Sequence, residues 1–441
     1  MYIFLFVGEW VQIKVSRRGR FEIITLEHTF PISKLLKLSD FVFWSVFFLR
    51  VGLCLKFMHY IFYITLISNI SLFESFILSN IIVSSQKINQ YPKTTTQMSS
   101  SSSNSLEQNG IKSTNHVEKS ICTDQNGKSN IKSDVIFLGT GSSSGSPHLT
   151  HIMLQPDDKR YNDAAAINSR SASIGNPADN PNYRCNPSLL VKYRNELNDD
   201  EQVLIIDVGK TFREAAVRWF PRHNITKVNA ILLTHGHADA FFGLDDVRSI
   251  QDYSAEGTLI PMDVYLTGET QITVERIFSY LFPKPPSKKD QFVRLVSNID
   301  WTTMFHYETI TPLKGLTVIP VPVMHGEDME CTGFIFGKKD VIVYLSDISR
   351  MIPKTLEIIK NYDVSLLVVD ALHPTDSYFS HYSMKDAIEL AKVIRPKMTR
   401  LVGMSSHFEH NTCNKELAFL KEQEGLDIQL AYDGMKLEME L

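Results

Sequence analysis

The run Ile231-Leu-Leu-Thr-His-Gly-His-Ala-Asp-Ala240 constrains this chain more than any other stretch. Its opening residues are apolar without interruption, which reads most simply as a buried strand. The strand then ends in His235 and His237, one residue apart, with Asp239 two further on. Where the chain turns, the two imidazoles point the same way and the carboxylate lies beside them. Neutral imidazole nitrogens and a carboxylate are what a borderline-soft divalent cation such as zinc takes as ligands. A lone His-x-His is commonplace on surfaces and in cores. The same pair followed by Asp, directly after a strand, points to a metal site.

Partners for these ligands are sought at the ends of later strands. Leu316–Met324 is apolar and ends in His325; Val341–Ser346 ends in Asp347; Leu401–Ser406 ends in His407, with His410 three residues on. Taken singly, each is an ordinary loop residue or helix cap. Four strands of one domain ending in the same chemistry are not ordinary.

The chain has 441 residues, 43% of them hydrophobic, so a sizeable core is available. A formal net charge of −4 gives no global basic field and disfavours sequence-independent nucleic-acid binding. The five cysteines are scattered with no Cys-x-x-Cys pair, which argues against a disulfide framework or a thiolate zinc site and suits a reducing, cytoplasmic compartment.

Three regions follow one another. Residues 1–98 form a hydrophobic extension with an early basic cluster (Lys14, Arg17, Arg18, Arg20), and Phe57–Phe73 carries no charge. Two readings stand side by side: a membrane segment within 41–83, anchoring the protein if 57–83 is a span, or a leader with no selected structure, translation starting at Met98. Residues 99–133 are rich in Ser, Asn and Lys and read as a disordered linker. The folded domain is expected over 134–441. Strands are expected at 134–139, 188–193, 203–208, 229–234, 316–323, 332–336, 341–346, 364–370, 399–404 and 428–432. Helical periodicity appears at 210–219, 270–281, 353–360, 384–394 and 414–424. Residues 148–182 are polar and irregular and read as a long insertion loop. Strands outnumber helices and interleave with them, which predicts one α/β domain with packed sheets.

With these residues in view, the chain from about Asp134 onward resembles the metallo-β-lactamase superfamily. It is most similar to the branch containing the phosphoribosyl cyclic phosphate phosphodiesterase (PhnP-like) and its eukaryotic relatives. The segments that carry the likeness are Gly139-Thr-Gly-Ser-Ser-Ser-Gly-Ser-Pro147, Arg184-Cys-Asn-Pro-Ser-Leu-Leu190, Ile206-Asp-Val-Gly209 and Thr234–Arg248. The resemblance implies a four-layer αββα sandwich, preceded by a non-core extension, with a binuclear metal centre along one sheet edge. It places His235, His237 and His325 on the first cation, Asp239 and His407 on the second, and Asp347 between them, with His410 as the alternative to His407. Ala240 stands where the superfamily usually has histidine, so the second site has one ligand fewer. Zinc is the implied ion, one or two per chain, and manganese also suits the second site.

The same resemblance makes His381, just before a helix, the general acid, and Asp370 the carboxylate that orients it. Asp207 would support a ligand histidine from behind. The Gly139–Pro147 loop lacks the Gly-Lys-Ser/Thr ending of a nucleotide-binding loop and is expected to shape the site edge instead. Arg248 is open to two readings, a phosphate contact or part of a solvated helix face. The implied reaction is hydrolysis of a small, perhaps cyclic, phosphodiester by a metal-bound hydroxide. The alternatives are a transfer-RNA 3′-processing-type endonuclease, a thioesterase or lactonase of the same fold, and a non-catalytic metal-binding protein. The only basic knot is Lys284-Pro-Pro-Ser-Lys-Lys289, too short for an RNA-holding arm, so a small-molecule partner is expected; a homodimer is compatible with the sequence.

Overall fold

The structure is a computed structural model, and it describes the strands at 2–6, 10–15 and 21–25 together with residues 132–195, 201–282 and 296–441. The possible membrane stretch (57–83), the linker up to residue 131 and the knot at 284–289 lie outside the described residues, and the last linker residue, Ser133, already opens a strand. Among the described residues, no helix is long and apolar enough to cross a membrane.

Contacts divide the chain into two units, Met1–Thr114 and Asn115–Leu441. In the first, β1 (Tyr2–Phe6), β2 (Trp10–Val15) and β3 (Phe21–Thr25) form an antiparallel meander.

The second unit is built on two seven-stranded sheets. The first contains β4 (Ser133–Gly139), β5 (Ser188–Arg194), β6 (Glu201–Ile206), β7 (Ala230–Leu232), β8 (Met262–Leu266) and β9 (Ile299–Thr303) in sequence order. The other comprises β10 (Ile310–Leu313), β11 (Leu316–Met324), β12 (Glu330–Phe336), β13 (Val341–Leu345), β14 (Val364–Asp370), β15 (Met398–Val402) and β16 (Ile428–Leu430), again in sequence order. The last strand, β17 (Lys436–Met439), returns to pair antiparallel with β4. Each sheet begins antiparallel and turns parallel, from β6 to β9 in one and from β13 to β16 in the other.

Side-chain alternation explains the layering. In β4, Val135 and Phe137 face a core shared with Phe334, Leu366 and Val368 of the other sheet, while Ile136 and Leu138 face outward onto a second core. In β14, Leu366 and Val368 point inward, and Leu367 and Val369 point to a third core. Strands buried on both faces read as the continuous apolar runs seen in the sequence. The helix α3 (Phe212–Trp219) covers the first sheet through Phe212, Ala215 and Trp219. The second sheet is covered by α6 (Pro353–Ile359), α7 (Met384–Ile394) and α8 (His410–Glu424), through Ile359, Leu390 and Leu417 among others. Helix, sheet, sheet, helix is the expected αββα sandwich.

All ten expected strands and all five expected helices are present. Seven of the described strands escaped the sequence reading: β1, β2 and β3 in the first unit, and β8, β9, β10 and β17 in the second. The expected insertion loop at 148–182 is a correction. It contains α1 (Leu149–Ile152) and α2 (Ala164–Ala172), and α2 buries Ala165, Ala166, Ser169 and Ala172. Small side chains on the buried face left no apolar period to detect. The other helices are α4 (Ala238–Phe241) and α5 (Gly268–Ile277).

Candidate metal centre

Ligand-type side chains gather where strands of both sheets end. After β7 the chain runs through Thr234 to His235 and His237, and His237 caps α4, which carries Asp239. Gly209 is what allows this turn to sit so low: a Cβ there would lie 1.8 Å from the Asp239 carbonyl oxygen. From the second sheet, His325 follows β11, Asp347 follows β13, and Asp370 ends β14.

His235, His237 and His325 form a cup. Their ring centroids are 4.7, 5.1 and 5.0 Å apart and the planes stand at 81°, 72° and 70° to one another. Hydrogen bonds decide which nitrogens face its centre. His325 Nδ1 lies 2.7 Å from the Ser380 carbonyl, which only accepts, so Nδ1 carries the proton and Nε2 is left with its lone pair. That Nε2 is 3.1 Å from His237 Nδ1. The Thr234 hydroxyl donates to Asp207 Oδ2 at 2.8 Å, leaving its oxygen to accept from His235 Nδ1 at 2.8 Å. The His235 Nε2 is buried and has no hydrogen-bond partner. Two inward lone pairs, one of them orphaned, converge with His237 Nδ1, and the 3.1 Å between His237 Nδ1 and His325 Nε2 is nearly the roughly 3.3 Å expected of two nitrogens on a tetrahedral zinc, a set that fits a divalent cation.

Asp347 offers an oxygen donor beside the cup. His325, Asp347 and His381 offer ligand atoms within 4.8 Å of one another, as do His235, His237 and His325. Burial alone would raise the Asp347 pKa, but His235, His325 and His381 outweigh it and hold the group below the usual range. Asp239 is pushed up to about 6, by burial and then by the charge of Asp347. Two buried carboxylates that repel each other beside a cation cup are an attractive place for positive charge. Burial lowers the pKa of His235 to about 3 and also lowers those of His237 and His325, so all three are neutral and competent as ligands.

The support behind His235 differs from the simple expectation. Asp207 does not touch the imidazole; it accepts from the Thr234 backbone N–H at 2.9 Å and from its hydroxyl, which relays the contact to His235. Asp207 holds this post at φ +62, in the left-handed region, where a non-glycine residue costs on the order of 1–2 kcal/mol. Replacing Thr234 by Val removes the relay while keeping the shape. We expect cation affinity to fall about 10–100-fold, read by competition with a chromogenic chelator; unchanged affinity would show that the relay is dispensable.

His381 stands beside Asp347 and His325, its ring centroid 4.8 Å from that of His325 and its Nδ1 2.7 Å from Asp370 Oδ2 and 3.9 Å from Asp347 Oδ1. Burial lowers its pKa, but Asp370 first, then Asp347 and Asp239, outweigh this and raise it to about 9. Asp370 is fully buried and pushed up to about 7 by desolvation, against the pull of His381. The hydrogen bond to Asp370 holds this raised-pKa imidazole in one orientation.

The structure does not gather a second three-donor group at His407. Among the described residues, no group of three or more ligand atoms within 4.8 Å includes Asp239, His407 or His410. His407 is exposed; its Nδ1 meets the Ser405 hydroxyl at 3.1 Å, and its ring stands edge-on to His373 at 4.9 Å and His151 at 6.2 Å. The buried position of this turn belongs to Ser406, whose hydroxyl bonds His151 Nδ1 at 2.9 Å. His410 is buried with its ring edge-on to the exposed Tyr432, and its Nε2 bonds the Asn414 side chain at 3.0 Å. Ala240 is buried and adds no ligand.

Sequence reasoning missed four neighbours. Cys331 Sγ lies 3.8 Å from His235 Nδ1. That nitrogen faces Thr234, so the thiol sits behind the ring rather than among the inward lone pairs. His151 and His373 join His407 on one rim. His306 helps line a cleft of about 320 Å³ beside His237, together with Thr273 and Arg276 of α5, Met329 and Glu330. None of the four lies in a recognisable motif. The Gly139–Pro147 loop does border the rim: Ser142 N–H bonds the Met404 carbonyl at 3.0 Å, two residues before Ser406. Arg248 pairs with Asp245 at 3.2 Å on an exposed turn.

Residues 203–404 match the family profile described as the beta-lactamase superfamily domain. That segment is a beta-lactamase superfamily domain. A diphosphatase from the PhnP family is 27% identical, with a TM-score of 0.53 over 70% of this chain and 98% of its own. Zinc-bound PqqB from Methylobacterium extorquens has the same fold at 17% identity and a TM-score of 0.50, covering 69% of this chain and all of its own (100%). Octanoyltransferase from Porphyromonas gingivalis is 23% identical over 273 residues, 62% of this chain; the match spans 46% of that protein's length. This metallo-β-lactamase domain thus carries the fold of metal-dependent hydrolases, with a cup whose donor set suits the metal.

Proposed function

We propose that this protein is a metal-dependent phosphodiesterase acting on a small phosphodiester. One observation carries the reading: a cup of neutral imidazoles and a protonated His381–Asp370 pair lie against the same carboxylate, Asp347. His235, His237, His325 and Asp347 would hold one divalent cation, zinc by its donor set. Asp239 would favour a second cation more weakly. When bound, the metal supplies charge neutralisation at the phosphoryl group and a water acidic enough to attack at neutral pH.

The chain's own residues supply the rest. His381 would give a proton to the departing alkoxide, and Asp370, 2.7 Å from its Nδ1, fixes the ring for that transfer. A protonated acid matters most for alkoxides, which are poor leaving groups, and far less for thiolates; this favours a phosphodiester over a thioester. The cleft beside His237, with Arg276, Glu330 and hydroxyls of Thr267, Thr270 and Thr273, would take a polar part of the substrate.

The test is turnover of bis-p-nitrophenyl phosphate and of cyclic phosphodiesters by metal-loaded protein. We expect hydrolysis that disappears on chelation and returns with zinc, and about one tightly held equivalent of metal per chain. Protein carrying that metal yet inert toward every linear and cyclic diester would overturn the proposal.

A further inference from the structure

We propose that the turn carrying His381 presents a stacking platform, Phe379 with Tyr378 beside it, for a planar aromatic arm of the substrate. The inference rests on the phosphodiesterase reading above and adds a substrate class to it. Tyr378-Phe379-Ser380-His381 is a tight turn closed by two reciprocal backbone bonds, Tyr378 N–H to the His381 carbonyl and His381 N–H to the Tyr378 carbonyl, each 3.3 Å. Turn tips favour Gly, Asn, Asp and Ser. Here the tip bears two aromatic rings with centroids 4.9 Å apart, exposed by 51% at Tyr378 and 70% at Phe379. Neither ring belongs to any of the three cores.

Their position is tied to the cup. The Ser380 carbonyl accepts from His325 Nδ1 at 2.7 Å. Phe379 Cε2 lies 3.8 Å from where a Cβ on Gly326 would sit, so the ring leans over the residue that follows His325. An aromatic face hung beside the cup, two residues before the proton donor, is registered to a substrate whose phosphate lies between them. Every planar aromatic group has a face to stack, so a nucleobase and a simple aryl ester share this chemistry.

The experiment compares kcat and KM of wild type, Phe379→Ala and Phe379→Trp on three diesters: adenosine 2′,3′-cyclic monophosphate, bis-p-nitrophenyl phosphate and glycerol 1,2-cyclic phosphate. We expect Phe379→Ala to raise KM about tenfold for a substrate with an aromatic arm, leaving kcat and the glycerol substrate nearly unchanged, with Phe379→Trp restoring KM. A response confined to the adenosine substrate assigns the platform to nucleobases; a response with both aromatic diesters assigns it to aryl groups in general. An unchanged KM, or a kcat that falls equally for all three, overturns it. Calorimetric binding of adenosine 5′-monophosphate against glycerol 3-phosphate separates the two proposals. Binding of the former that depends on Phe379, without turnover of any diester, upholds the platform and sinks the phosphodiesterase. Turnover without dependence on Phe379 does the reverse.

Discussion

Replacing His381 by Ala should lower turnover of an alkyl phosphodiester by about 10²–10⁴-fold, the usual contribution of a positioned proton donor, while metal content stays at the wild-type level. The loss should shrink sharply with p-nitrophenyl esters, whose phenolate departs without help. The pH profile carries the same signature. The donor works only while protonated, and its pKa is raised to about 9, so activity should fall as pH climbs through its alkaline limb. A cation in the cup repels the imidazolium and moves that limb toward neutrality. Asp370→Asn removes the carboxylate 2.7 Å away that stabilises the charged ring, so the limb should move to still lower pH. Equal losses for alkyl and p-nitrophenyl esters in His381→Ala would show that His381 does not protonate a leaving group.

Gly403→Ala should damage both stability and turnover. Gly403 follows β15 at φ +72, and a Cβ there would stand 2.2 Å from Asp370 Oδ1. The backbone penalty is about 1–2 kcal/mol and overpacking adds about 1–3, so the unfolding free energy should drop by roughly 2–5 kcal/mol. The displaced carboxylate also releases His381, so turnover falls with it. Gly175→Ala is the control: it shares a positive φ, +86, but meets nothing within 4 Å, and should show the backbone penalty alone. Urea unfolding reads the first effect and steady-state kinetics the second. If the two substitutions cost the same, close packing against Asp370 is not what Gly403 provides.

The parts legible in the sequence were those where one physical demand dominates. A strand buried on both faces must be apolar throughout, so β7, β11, β13 and β14 stood out, and the ligands at their ends stood out with them. Edge and half-exposed strands impose no such demand. Thus β17, Lys-Leu-Glu-Met, alternates too briefly to notice, and β9, Ile-Asp-Trp-Thr-Thr, is mostly polar. The cup could be inferred because His235, His237, His325 and Asp347 each follow such a strand. The His407 turn could not, because a single serine decides which residue faces inward, and Ser405 and Ser406 look alike in a sequence. Contacts passed through an intermediary were hidden too. The link from Asp207 to His235 runs through a threonine hydroxyl, and no spacing rule announces it. His151 lies on the four-residue α1, too short for any period to show, in a segment that reads as a loop.

The cup draws His235 and His237 from one sheet and His325 and Asp347 from the other, so its ligands straddle the seam of the sandwich. Neither half owns a complete set, and an ion seated there clasps the layers together. Its binding energy is therefore added to the cohesion of the whole domain, and loosening the seam anywhere along its length loosens the grip on the ion.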